Sequence, residues 1–161
     1  MQCNWRMRCS KLRRMQFNDF SHFIKQFKKL EPLSNFQIID ICKNLKIQNF
    51  KGVFMRDELR QASDNECLVL NIDCSSNTGT HWTCLWIKKS VCIYFDSFGF
   101  PPPQEVIQCC QKRKINFSTF KIQKKNEVIC GHYCIYMLYK LSNGNNYYDI
   151  LDELYRGCTL E

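Results

Sequence analysis

The sequence has 161 residues, of which 45% are hydrophobic and 24% are charged, as is typical of a single globular domain. No apolar run approaches the roughly 20 residues that cross a bilayer. The basic N-terminus also lacks the apolar core of a secretory signal. We therefore expect an intracellular protein, monomeric and without a membrane partner.

The sequence includes 12 cysteines, and several stand within apolar runs, as Cys84, Cys92 and Cys134 do. This placement is typical of small buried thiols, and free thiols agree with a reducing compartment. The sequence has no pair of CxxC motifs, which disfavours a structural zinc site. We predict neither a metal nor another cofactor.

The formal net charge is +8, and the basic residues concentrate in two places. Residues 1–30 are strongly basic and contain Asp19 as their single acid, and a second basic cluster occupies residues 112–125. Such clusters can neutralise the phosphates of nucleic acid, so DNA is a candidate partner. The alternative is a solvated surface without any partner.

The first predicted element is a basic amphipathic helix. Its apolar residues recur at helical spacing, at Phe17, Phe20, Ile24 and Phe27. We expect this apolar face to dock on the rest of the protein rather than on a membrane. Residues 1–33 are therefore assigned to a basic N-terminal appendage, and residues 34–161 to the main domain.

A second helix is predicted to begin after Ser34, which can form a capping box with Gln37, and to end near residue 46. The segment 49–59 around Gly52 predicts a loop. Strands are then expected at three places, residues 67–72, 81–87 and 91–95. The second of these is apolar on both faces, which indicates a central, buried strand.

A helix is predicted over residues 104–114, after three prolines that end the sheet. Residues 116–123 alternate as a strand does, and helices are expected at 130–141 and 147–155. The order of these elements predicts an α+β fold, in which a mixed sheet packs against the buried helix over residues 130–141.

Three residues in this pattern could form a catalytic group. Cys130 stands at a predicted helix N-terminus, where the helix dipole favours a thiolate. His81 opens the buried strand, and Asp96 ends the next strand, so a short hairpin would place them side by side. His81 could then take the thiol proton while Asp96 fixes its tautomer.

Each of these residues also has an ordinary structural interpretation. A cysteine in an apolar run is usually part of the core, a histidine before a strand is usually solvated, and an aspartate before Ser97 is usually a turn residue. The combination on appropriate elements, with Gly131 after Cys130, favours catalysis by a thiol.

The sequence resembles the adenovirus-type maturation proteases, which have relatives in Polinton-like and virophage-like elements. The resemblance lies in the segments 79–82 (GTHW), 94–100 (YFDSFGF) and 50–54 (FKGVF), with Gln123 and the Cys130–Gly131 pair. The order His, Asp, Gln, Cys is similar, more distantly, to that of the SUMO-deconjugating proteases. Asp96 stands where the adenoviral enzymes often have glutamate.

The resemblance implies a cysteine-protease-like fold and a cysteine-type endopeptidase. Cys130 would be the nucleophile, His81 the general base, Asp96 the third member and Gln123 the oxyanion-hole donor. Trp82 would wall a narrow substrate groove that selects glycine near the scissile bond. The expected partner is a protein substrate such as a capsid precursor, in a host nucleus or cytoplasm or in a virus particle.

Two other functions remain open from the sequence. A deconjugase of ubiquitin-like modifiers would use the same chemistry, with the same residues His81, Asp96, Gln123 and Cys130. A decayed copy of a mobile element would instead be an inactive protein that binds nucleic acid through its basic residues.

Overall fold

A five-stranded mixed sheet forms the centre of the computed structural model, which describes residues 16–159. The strands lie in sequence order: β1 (Phe50–Met55), β2 (Glu66–Asn71), β3 (Trp82–Ile87), β4 (Val91–Phe95) and β5 (Lys114–Phe117). The two edge strands pair in parallel with their neighbours, and the two inner pairings are antiparallel. The central strand is therefore β3, as its sequence predicts.

The helices are α1 (Phe20–Ile24), α2 (Asn35–Asn44), α3 (Gln104–Cys110), α4 (Cys130–Ser142) and α5 (Tyr147–Thr159), with a 3-10 turn at Arg56–Glu58. The predicted capping box opens α2. The hydroxyl of Ser34 accepts from the backbone N–H of Gln37, and the side chain of Gln37 accepts from the backbone N–H of Ser34. This reciprocal pairing satisfies two backbone donors at the helix start.

The sheet is covered on both faces, which gives three layers. Cys84 and Trp86 of β3 face one hydrophobic cluster, which contains the buried residues of α2, α4 and α5. Leu85 and Ile87 face a second cluster with Val106 of α3. Because successive strand residues point to opposite faces, β3 contributes to both clusters. The predicted α+β fold, a mixed sheet against a buried helix, is confirmed.

The prediction of a loop around Gly52 is wrong, since residues 50–55 form β1. This edge strand has one neighbour, β2, and its register shifts between Phe50 and Val53. Gly52 lies in that interval with φ +130, a conformation that glycine adopts readily. A strand with one partner and an irregular register does not show the regular alternation of a longer strand.

The predicted strand over residues 116–123 is also wrong in its extent. The observed strand ends at Phe117, and the backbone then leaves the sheet. The backbone N–H groups of Ile122 and Gln123 both donate to the carbonyl of Ser97, at 2.9 and 2.8 Å. This loop therefore satisfies its backbone donors on the segment after β4 rather than on a neighbouring strand.

The segment around α1 packs on the core, as expected from its apolar face. Phe17 and Phe23 are buried, and the ring of Phe20 stacks on Tyr133 of α4 at 4.4 Å. The carboxylate of Glu153 accepts from the backbone N–H of Phe20 at 3.1 Å. The predicted docking on the protein is confirmed, although the helix itself covers only five residues. The division into an appendage and a main domain at residue 33 stays a prediction.

Within residues 16–159, every cysteine is a free thiol, and Cys84, Cys92 and Cys134 are buried as predicted. That part of the protein has no helix long and apolar enough to span a bilayer. The basic residues at positions 6–14 lie outside the described residues.

Candidate active site

His81 and Asp96 meet at the end of the β3–β4 hairpin. His81 immediately precedes β3, Asp96 immediately follows β4, and both are buried. The hairpin pairs Cys84 with Phe95, so its register brings positions 81 and 96 near each other on one face, as diagonal neighbours. His81 Nε2 lies 2.9 Å from Asp96 Oδ1. Oδ1 also accepts from the backbone N–H of Phe98 at 2.7 Å, which fixes the carboxylate.

Cys130 is the first residue of α4, and its thiol lies close enough to the imidazole of His81 for each group to shift the pKa of the other. Since Nε2 is hydrogen-bonded to Asp96, Nδ1 is the ring nitrogen left for the sulfur. The backbones of Trp82 and Gly131 also lower the pKa of this thiol. The structure thus brings together all three residues that the sequence singles out as a catalytic group.

The electrostatics of the pair favour a thiolate and an imidazolium. Burial raises the pKa of the Cys130 thiol, but hydrogen bonds from His81 and from the backbone of Trp82 outweigh burial, and the net effect lowers this pKa. Burial likewise lowers the pKa of His81, yet its bonds with Asp96 and Cys130 raise that pKa to about 9. Each group therefore stabilises the charged form of the other.

Gln123 is buried in the loop that leads to α4, and its amide is held at both ends. Its Oε1 accepts from the hydroxyl of Ser97 at 2.7 Å, and its Nε2 donates to the carbonyl of Glu127 at 2.6 Å. An amide nitrogen carries two hydrogens. The second has no acceptor among the described residues, which leaves one donor available to a ligand.

Trp82 lies against the start of α4. Its indole N–H donates to the carbonyl of Leu33 at 2.9 Å. A Cβ atom on Gly131 would stand 3.2 Å from Trp82 Cδ1 and 3.4 Å from Ile38 Cδ1. The residue after Cys130 is therefore glycine because the indole and α2 leave little room for a side chain there.

A groove of about 650 Å³ reaches Cys130 from the side of Trp82. One wall comes from residues 32–35 before and at the start of α2, and another from residues 53–55 of β1. Its remaining lining comes from Glu58, Asn71, Ser75, Asn77, Thr78, Gly79, Thr80, Trp82 and Cys130. Cys130 therefore lies on the wall of a groove rather than in the closed core.

Sequence reasoning missed three residues that support the site. The ring of Phe98 lies against that of His81, with centroids 4.8 Å apart. Ser97 holds Gln123, and Asn71 Oδ1 accepts from the backbone N–H of Thr80 at 3.1 Å, just before His81. Phe98 could have been predicted from the register of the hairpin. When the pairing of Cys84 with Phe95 is extended by three residues, position 98 lies opposite position 81.

His132 also lies on α4, yet it takes no part in this arrangement. It is fully buried, and neither ring nitrogen has a hydrogen-bond partner within residues 16–159. Its ring meets Phe27 edge-on, with centroids 4.4 Å apart. Burial lowers the pKa of His132 to about 4, so it is a neutral core residue at ordinary pH.

The five-stranded mixed sheet packed on a helix that begins with cysteine is the α+β fold of a cysteine protease. A crystal structure of ASFV pS273R protease is similar to this protein with a TM-score of 0.59 and 18% identity, over 81% of this sequence and 67% of that one. A selenomethionine form of the same protease matches with a TM-score of 0.53 and 19% identity, over 81% and 68%. At these identities the likeness establishes a common fold.

No protein-family model matches the sequence. The comparison with curated proteins gives no match either.

Proposed function

We propose that this protein is a thiol endopeptidase of viral type, with Cys130 as nucleophile, His81 as acid and base, and Asp96 orienting His81. The observation that carries the proposal is the convergence of the Cys130 thiol and the Asp96-bound imidazole of His81, which lie close enough for each to shift the pKa of the other toward its charged form. A preformed thiolate is the reactive nucleophile of cysteine enzymes. The common fold with ASFV pS273R protease supports the same conclusion.

In the first half of the proposed reaction, the Cys130 thiolate attacks the carbonyl carbon of a peptide bond. The new C–S bond forms as the carbonyl electron pair moves to oxygen. The available amide hydrogen of Gln123 and the backbone N–H of Cys130 would stabilise this oxyanion. The C–N bond then breaks, and the imidazolium of His81 gives its proton to the departing amine.

In the second half, water attacks the thioester. Neutral His81 takes one proton from that water, and the second tetrahedral adduct collapses with release of a carboxylic acid and the Cys130 sulfur. The imidazolium and the thiolate are thereby restored. Asp96, hydrogen-bonded to Nε2, keeps the imidazole in the orientation that both halves need.

The proposed substrate is a viral or virus-like precursor protein with glycine beside the scissile bond. Two features support glycine: the resemblance to adenovirus-type proteases, and the crowding of Trp82 against the backbone of Gly131 next to Cys130. A residue without a side chain would enter most easily where the indole and the helix start lie this close.

Purified protein incubated with peptides that contain a Gly-Gly pair would test the proposal, with Cys130→Ala as the inactive control. We expect cleavage after glycine by the wild type and none by the variant. Probes made from ubiquitin and SUMO with a thiol-reactive C-terminus test the alternative. Labelling of Cys130 by a probe without peptide cleavage would indicate a deconjugase. DNA binding without either reaction would indicate an inactive nucleic-acid-binding protein.

A further inference from the structure

Two loops form a ledge beside His81, and none of the ledge residues lines the groove at Trp82. We define the ledge as residues 98–100, after β4, and residues 119–121, before Gln123. The ring of Phe98 lies against His81, and Nζ of Lys121 stands 5.8 Å from the centroid of the Phe98 ring. The ring of Phe98 thus lies between Lys121 and the imidazole of His81.

The ledge is held in a fixed position relative to the site. Gly99 has φ +75, and a Cβ atom there would stand 2.6 Å from the carbonyl oxygen of Thr119, so the two loops touch through their backbones. The carbonyl of Ser97 accepts from the N–H groups of Ile122 and Gln123. Residues adjacent to Asp96 and Gln123 therefore position the ledge, and no hinge separates it from the chemistry.

The proposed reaction predicts which part of the substrate lies on each side of the cleft. The amine leaves with a proton from His81, so the substrate segment that follows the scissile bond must depart on the side of His81. The acyl part remains on Cys130 and occupies the groove beside Trp82. The ledge, which begins at the ring that covers His81, therefore borders the amine side of the substrate.

The two sides differ in charge. Lys121 and Lys125 are exposed, and neither takes part in any of the ion pairs within residues 16–159. The nearest acid along this loop is Glu127, whose carboxylate accepts the backbone N–H of Lys124. On the other side, Glu58 is the one charged residue among the described residues that line the groove. The amine side is thus basic and the acyl side is not.

The ledge also exposes apolar surface. Phe100 is 60% exposed and Phe120 is 63% exposed, although aromatic rings of this size are usually buried. Exposed rings next to cations beside a catalytic centre fit a peptide that offers both an apolar and an acidic side chain.

We infer that the ledge binds the substrate residues that follow the scissile bond and selects an acidic side chain there, with Lys121 as the specificity-determining residue. This inference rests on the proposed protease function. An extended peptide advances about 3.3 Å per residue. The ring contacts from His81 to Lys121 then place the selected acid at about the second or third residue after the scissile bond.

Quenched-fluorescence peptides would test the inference. All the peptides share one Gly-Gly sequence before the scissile bond. They differ only at the second and third residues after that bond, which are Asp, Asn or Lys. For the wild type we expect kcat/KM to be about three- to tenfold higher with Asp than with Lys, with the ratio falling as salt is added. Lys121→Glu should reverse this preference while the Asn peptide is still cleaved. Lys125→Glu should weaken it.

Lys89→Glu is the matched control, because Lys89 is exposed in the β3–β4 turn, at the opposite end of the hairpin from His81. It should keep the wild-type preference. Equal rates with Asp and Lys peptides, or a preference that survives Lys121→Glu, would overturn the inference while leaving the protease function standing. A preference that follows an acid moved to the acyl side would also overturn it. Failure to cleave any peptide would instead reject the protease function itself.

Discussion

The hydroxyl of Ser97 donates a 2.7 Å hydrogen bond to Oε1 of Gln123, and both residues are buried. Ser97 directly follows Asp96, so one short segment positions both the carboxylate that binds His81 and the amide of Gln123. With Oε1 held by Ser97 and Nε2 held by the carbonyl of Glu127, the amide cannot rotate freely. Its remaining hydrogen has a fixed direction before a substrate arrives.

Replacing Gln123 with alanine should lower kcat by roughly 10²–10³ and leave KM nearly unchanged, because the lost donor acts on charge that develops during the reaction. Steady-state kinetics with a Gly-Gly peptide measures both constants. Ser97→Ala should lower kcat less, since the amide remains but is less firmly held. A Gln123→Ala variant whose defect appears only in KM would assign Gln123 to substrate binding.

Replacing Asp96 with asparagine should move the alkaline limit of activity. Its hydrogen bond and charge help to raise the pKa of His81 to about 9, so the wild type should lose activity only as the pH rises through about 9. In Asp96→Asn the charge is gone, and the limit should fall toward the ordinary histidine value of about 6.5. The pH profile of kcat/KM measures this shift. An alkaline limit that stays in place would mean that Asp96 does not set the protonation of His81.

The hairpin that carries His81 and Asp96 was predictable because its signals are local. Two apolar strands joined by a short polar turn define both the pairing and the face of each residue. The start of α2 was predictable for the same reason, through its capping box. In both cases the residues that interact are close in sequence or fixed by one register.

Other parts of the site depend on contacts between distant segments. Ser97 and Gln123 lie 26 positions apart, and no local pattern indicates that they are bonded. The indole of Trp82 reaches the carbonyl of Leu33 across 49 positions. The edge strand β1 was missed because an irregular strand with one neighbour shows little periodicity. Such features follow from tertiary packing rather than from propensity.

His132 should limit stability in acid. Its pKa is lowered to about 4 in the folded protein by burial, whereas an unfolded histidine titrates near 6.5. Between these values the unfolded state binds more protons, so stability falls as the pH drops from about 6.5 to about 4, by up to about 3 kcal/mol. Urea unfolding of wild type and His132→Leu at several pH values isolates this contribution. Parallel stability curves for the two proteins would contradict it.

The segment around α1 should be essential to the fold. Phe23 is fully buried among aromatic rings of the core, so Phe23→Ala should lower the free energy of unfolding by about 3–5 kcal/mol. Phe36, which is 77% exposed, provides the matched control. Phe36→Ala should change the free energy of unfolding by less than about 0.5 kcal/mol. Chemical denaturation measures both. Similar small effects from the two substitutions would mean that the segment is dispensable.

The central claim is that Cys130 is the nucleophile, and site-resolved alkylation tests it most directly. Cys74 and Cys158 are more exposed than Cys130, which is 9% exposed, so accessibility and thiolate character predict different orders of reaction. We predict that iodoacetamide at about pH 6 labels Cys130 first, that His81→Ala slows this labelling, and that Cys130→Ala abolishes cleavage. First labelling of another cysteine in the mass spectrum, or turnover by the Cys130→Ala variant, would contradict the account.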